Sequence, residues 1–157
     1  MVKTMGSNKD SFTINVKSYT NNTRSIRAEL IRRSARNVRV GLFDVKSAIK
    51  AYIAEVGDPT NKPGPIPPRP FISVAIDDIQ DNLYELSRKL KAAIYDDDYE
   101  RALIIVGKFF VELLRSTIRN AATWAQALAP FTVDKKGHDT ILRDSDDMYN
   151  NIKYKVS

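Results

Sequence analysis

Six of the chain's seven prolines fall within the twelve residues from Pro59 to Pro70, and the run closes as Ile66-Pro67-Pro68-Arg69-Pro70-Phe71. Proline fixes φ near the polyproline II value and removes a backbone donor, so this stretch belongs to neither a helix nor a central strand. Most connections in compact domains run ~4–6 residues, so a stiff segment of this length has a job of its own. Stiffness also lowers the entropy lost when such a segment docks on a partner. Read this way, residues 57–71 form an extended proline-rich arm suited to assembly.

Hydrophobic periodicity organises the rest. Residues 1–11 are polar and uncapped, a flexible leader. Residues 12–157 read as a single domain. Alternation marks short strands at 12–16, 38–43 and 152–156, which together suit one small antiparallel sheet. Helical spacing brings Ile26, Leu30, Ile31 and Ala35 together behind a turn at Asn21-Asn22-Thr23. After Asp44 as N-cap, it also aligns Val45, Ala48, Ile49, Tyr52, Ile53 and Val56, and Gly57 ends that helix as a C′ glycine. Asp77 and Asp78 open a helix bearing Ile79, Leu83, Leu86, Leu90, Ala93 and Ile94 on one stripe. Asp96-Asp97-Asp98 caps a longer helix running from about Tyr99 toward Leu128, before Pro130. Between Leu103 and Leu114 that helix is apolar nearly all round, which argues for contact on more than one side, and Gly107 within it suggests close packing. The tail reads as a polar loop around Lys135-Lys136-Gly137-His138, then a helical turn with Met148 and Tyr149. The class is α+β: a small antiparallel sheet packed against two long helices, with the arm between.

Chemistry is hard to find. With no cysteine there is no disulfide, thiolate metal site or thiol nucleophile. His138, the lone histidine, sits in a polar loop without a sequence partner and reads as a surface residue. No phosphate-binding glycine loop or nucleophile-elbow motif is present. Asp144, Asp146 and Asp147 concentrate carboxylates but lack the glycine and terminal glutamate of a calcium loop, so a metal-dependent hydrolase is the weakest of the readings. The expectation is no enzyme, no cofactor and no metal. No apolar run is long enough to span a bilayer, and the N-terminus lacks a secretory block.

The net charge of +6 is carried entirely between Arg24 and Lys50, where eight Lys/Arg meet Glu29 and Asp44. Arg24, Arg27, Arg32, Arg33, Arg36 and Arg39 are therefore candidate contacts for DNA or an acidic partner, or else a solvated helix face. Without interleaved aromatics or a zinc or RNP signature, any such DNA contact is expected to be non-specific.

Three landmarks in order carry a resemblance: Val38-Arg-Val40-Gly41-Leu42; Ala51-Tyr-Ile-Ala54-Glu55-Val-Gly57 followed by Ile66-Pro67-Pro68-Arg69-Pro70-Phe71; and Leu128-Ala-Pro130-x-Thr132 through Lys136-Gly137 and Leu142-x-Asp144 to Met148-Tyr149-Asn-Asn151-Ile152-Lys-Tyr154. Over residues 38–156 the chain resembles the tail-completion (virion morphogenesis, neck) proteins of tailed bacteriophages. Where that family usually continues its leucine with Asp-Thr-Gly, Arg143-Asp144-Ser145-Asp146 stands here, and aspartate tolerates positive φ less well than glycine. The resemblance implies a non-enzymatic virion component at the head–tail joint, made in the host cytoplasm. It would assemble as a ring of copies, six-fold rather than twelve-fold, against connector or tail-tube proteins. On that reading Ile66, Pro67, Pro68, Arg69, Pro70 and Phe71 bind the neighbouring subunit, with Phe71 as apolar anchor and Arg69 pairing a carboxylate. The alternative function is a non-specific nucleic-acid-binding module using residues 24–50.

Overall fold

The computed structural model describes residues 36–62, 64–143 and 146–157, together with Ala28. The chain divides into two compact units, 1–36 and 37–157, and the sheet and core belong to the second. The expected strand at 12–16 and the expected helix carrying Ile26 to Ala35 lie outside the described residues.

The alternating segments on either side of the helices pair as expected. Strand β1 (Val38–Leu42) runs antiparallel to β2 (Ile152–Val156), with Val38 opposite Val156 and Leu42 opposite Ile152. Period-two patterning decides the faces. Val40, Leu42 and Ile152 turn into the core, while Arg39, Lys153 and Lys155 are exposed.

Among the described residues seven helices complete a mixed α+β fold: α1 (Val45–Val56), α2 (Phe71–Asp77), α3 (Ile79–Tyr95), α4 (Tyr99–Arg119), α5 (Ala121–Trp124), α6 (Pro130–Lys136) and α7 (Asp147–Asn150). Their ends follow local chemistry. The Asp44 carboxylate accepts from the Ser47 N–H at the start of α1, and the Gly57 N–H donates to Ile53 O at its end with φ +78°. Asp98 caps α4 by accepting from Arg101 N, as three consecutive aspartates suggest.

Helix α4 is the axis of the unit. It packs against α3, α2 and both strands, which explains why its middle is apolar nearly all round. Gly107 marks the closest approach: a Cβ there would lie 2.5 Å from the Tyr154 ring, so only hydrogen lets β2 settle on the helix. The core joins Ala51, Phe71, Ala75, Leu114, Ile118, Met148 and Ile152.

Two expectations about this region are corrected. The long helix stops at Arg119 rather than continuing toward Leu128, with Asn120 as its C-cap. There the Trp124 indole N–H donates to Thr117 O, so an acceptor of the last turn is taken by a side chain from beyond the helix. The tail also contains a helix where a loop was expected. Pro130 opens α6 at a position where its missing N–H costs nothing, and Gly137 closes it at φ +75°.

Candidate functional site

The proline-rich segment folds back on its own subunit instead of extending. Asp58 and Ile66 exchange both backbone hydrogen bonds, at 2.9 and 2.8 Å, closing the loop between them. Gly57 makes this closure fit: a Cβ there would lie 2.7 Å from Ile66 O and 3.0 Å from Pro68 N. Arg69 N then donates to Ala54 O, tying the far end of the segment to the last turn of α1.

This geometry gives the Glu-x-Gly and Pro-Arg-Pro-Phe elements a shared structural role. Helix α2 begins behind Pro70, which has no side chain with which to cap it. Glu55 of α1 does so from outside the helix: its carboxylate accepts from Ile72 N, Ser73 N and the Ser73 hydroxyl. A carboxylate at the positive end of the helix macrodipole is favourable as well as hydrogen-bonded. Phe71 is fully buried in the core. Arg69, only 8% exposed, donates through Nε to Gln126 O and through a terminal nitrogen to Ala127 O. Within this subunit, then, Phe71 packs in the core and the partners of Arg69 are carbonyls. Of the other arm residues Ile66, Pro67 and Pro70 are half-buried and Pro68 is exposed.

Burial also pulls the Arg69 pKa below the ordinary arginine value. It lines a hollow of about 200 Å³ with Lys50, Lys136 and Arg143, against which stand Asp146 and Asp147. Arg143 already holds Asp146 in a two-point pair at 2.7 and 2.9 Å, and this keeps the Asp146 carboxyl below its ordinary range. Close to this pair Leu142 at φ +60° and Asp146 at φ +57°, neither of them glycine, take the left-handed conformation. Tyr149 lies beside it, with Arg143 over its ring at 4.9 Å, Arg115 at 5.5 Å and the Arg119 guanidinium donating to its hydroxyl. His138 is half-buried rather than at the surface, and among the described residues its buried Nδ1 has no hydrogen-bond partner.

The surface feature that stands out belongs to α1. Ser47 and Ala51 face inward, and on the opposite side Val45, Ile49, Tyr52 and Val56 are 77%, 54%, 67% and 52% exposed. The helical spacing read in the sequence is real, but most of it points outward. Small residues at the inner positions let α1 lie close to α7 and the core, and Asn151 reaches the Ser47 hydroxyl at 3.1 Å. The alternating intervals of four and three residues along the stripe are those of a helix-pairing seam.

Of the cationic candidates, Arg24, Arg27, Arg32 and Arg33 lie outside the described residues, and Arg36 is exposed. Arg39 is exposed on β1 directly opposite Lys155, with Lys153 on the same face of the ribbon. Like charges directly opposite are unfavourable, so this pairing costs stability. Among the described residues no cluster of three or more His, Cys, Asp or Glu side chains is placed to hold a metal ion, and no helix is long and apolar enough to cross a membrane. Comparison with known protein families, with curated proteins and with solved structures finds no match.

Proposed function

We propose that this chain is a structural, non-enzymatic virion protein of the neck or tail-completion type, which joins or closes a phage tail by protein–protein contacts within a ring. The observation that carries the reading is the outward apolar stripe of α1. A helix that turns small residues to its own core and four large apolar residues to solvent is built to be covered by another protein. The order of landmarks along residues 38–156 supplies the type of protein, and a sheet backed by α4 agrees with it. The proline-rich segment enters this reading as a brace that orients α1, with Pro59, Pro65 and Pro68 among its exposed residues. A phage lacking this chain is expected to accumulate filled heads and separate tails. Joined, infectious particles formed without the chain overturn the proposal.

A second reading has one observation in its favour. Arg39, Lys153 and Lys155 make the exposed face of the ribbon basic, as a surface passing along a nucleic-acid backbone would be. This reading predicts DNA affinity that falls steeply with salt and ignores sequence. Salt-independent or absent binding rejects it.

A further inference from the structure

We propose that the free edge of β2 receives an extended strand from a partner protein, a strand that alternates apolar and acidic side chains. The site is separate from the outward stripe of α1, since among the described residues no member of α1 lines the groove beside it.

The ladder between β1 and β2 shows which backbone groups are spare. Asn37 and Ser157 exchange both backbone hydrogen bonds, at 2.8 and 3.0 Å. In an antiparallel ladder such pairs alternate with unbonded ones, so Arg39 with Lys155 and Gly41 with Lys153 continue the series. The N–H and C=O groups of Ile152, Tyr154 and Val156 therefore point away from β1. Arg115 donates to Ile152 O at 3.1 Å and closes the start of that edge. Tyr154 and Val156 follow, and among the described residues their backbone groups have no partner.

There is room beside this edge. A groove of about 1210 Å³ is lined by Lys153 and Tyr154 on one side and by α3 on the other, with Ile105 and Phe109 of α4 between them. Among the described residues no member of β1 lines it, which places it on the unpaired side of β2. Ile105 and Phe109 are half-buried and so keep apolar surface for a strand to cover. In strand addition of this kind main-chain bonds give affinity and alternate side chains give specificity.

Charge selects the occupant. Arg39, Lys153 and Lys155 are exposed on the ribbon, and Lys108 is exposed in the groove. Lys155 lies over the Phe43 ring at 4.3 Å, a contact that leaves its charge in place, and Asp44 stands near enough to Lys153 to feel its charge. Of the groove's carboxylates, Glu85 pairs with Lys89 and Glu112 with Arg119, while Asp78 and Asp81 stand at the start of α3. Opposite charges on neighbouring strands stabilise a sheet and like charges oppose it. A second copy's β2 would set lysines against lysines. The same lysines that keep copies from pairing edge to edge thus admit a strand with acids at those positions.

Hydrogen exchange followed by nuclear magnetic resonance on the full chain reads the edge directly. In the free chain the amides of Lys153 and Lys155, bonded to β1, should exchange about tenfold or more slowly than those of Tyr154 and Val156. A labelled seven-residue peptide of alternating glutamate and valine should bind saturably and slow the second pair about tenfold or more. Methylating the backbone nitrogens of its glutamates or of its valines should abolish binding in one case and spare it in the other. Val156→Pro removes a donor from the edge and none from the ladder with β1, and should weaken binding about tenfold. Lys153→Glu combined with Lys155→Glu should shift the preference about tenfold or more toward a valine–lysine peptide. Absence of saturable binding overturns the proposal, as does equal binding of a peptide with its glutamates and valines in two blocks. Amides of Tyr154 and Val156 that are already slow in the free chain show the edge held by the chain itself, and overturn it too. Protection of those amides by duplex DNA and not by the peptide gives the face to nucleic acid, with the same consequence.

Discussion

Replacing Phe71 with alanine separates a brace from a docking finger. The side chain is fully buried among Ala51, Ala75, Leu114, Ile118, Met148 and Ile152. Losing it forfeits about 2–3 kcal/mol of transfer free energy. Incomplete collapse of the cavity raises the cost to about 3–5 kcal/mol. A domain of this size has about 5–15 kcal/mol in all, so about a fifth or more of its stability is at stake. Urea unfolding followed by far-UV circular dichroism should show the midpoint falling by about 1–3 M, and the thermal midpoint should fall by about 10–25 °C. Phe71→Leu, costing about 1–1.5 kcal/mol, keeps the protein folded and gives an intermediate shift. An alanine variant with an unchanged midpoint and lost self-association would show that Phe71 serves a neighbour, and would refute its place in the core.

Glu55→Ala removes the external cap of α2 and should cost about 1–2 kcal/mol in urea unfolding, with Glu55→Gln recovering part of it; equal stability of all three proteins rejects the capping role. Gly107→Ala gains about 1 kcal/mol of helix propensity but forces β2 off α4 at a cost of about 1–3 kcal/mol, for a net loss. In a Tyr154→Ala background the same change should turn stabilising, and a sign that does not reverse refutes the contact. The Asp44 carboxyl is held below its ordinary value of 3.8, chiefly by the Ser47 N–H. Its contribution is therefore complete above that value and disappears as pH falls through the depressed pKa. Wild type and Asp44→Ala should differ in urea midpoint at neutral pH and converge as acid protonates the carboxylate, and a gap unchanged by acid rules out the ionised cap.

Local chemistry was legible wherever a residue acts on its immediate neighbours. Asp44, Gly57 and Asp98 announce helix ends because capping depends on a side chain or a φ value within a few positions. Gly107 announced close packing because glycine in a helix needs a reason. The signals for α6 were equally local, Pro130 before it and Gly137 after it, though the polar residues between them favour a loop reading. The role of Glu55 was not legible, since its donors at Ile72 and Ser73 lie beyond the whole proline-rich loop. The α1 helix shows the same division. Its sequence holds two candidate faces, the small Ser47, Ala51 and Ala54 and the large Val45, Ile49, Tyr52 and Val56. Spacing alone favours burying the larger.

By itself, then, the order of residues determined the α+β class, the two paired strands, the stiffness of the segment before Phe71 and the lack of cysteine chemistry. Each depends on backbone stereochemistry or side-chain period and needs no distant partner. Tertiary structure decided that the stiff segment closes on its own subunit, that Phe71 and Arg69 turn inward and that α1 shows its greasy side to solvent. Those outcomes depend on which of several surfaces of similar apolarity packs best against α4, a comparison made only once the chain has brought residues 51, 71, 118 and 152 together.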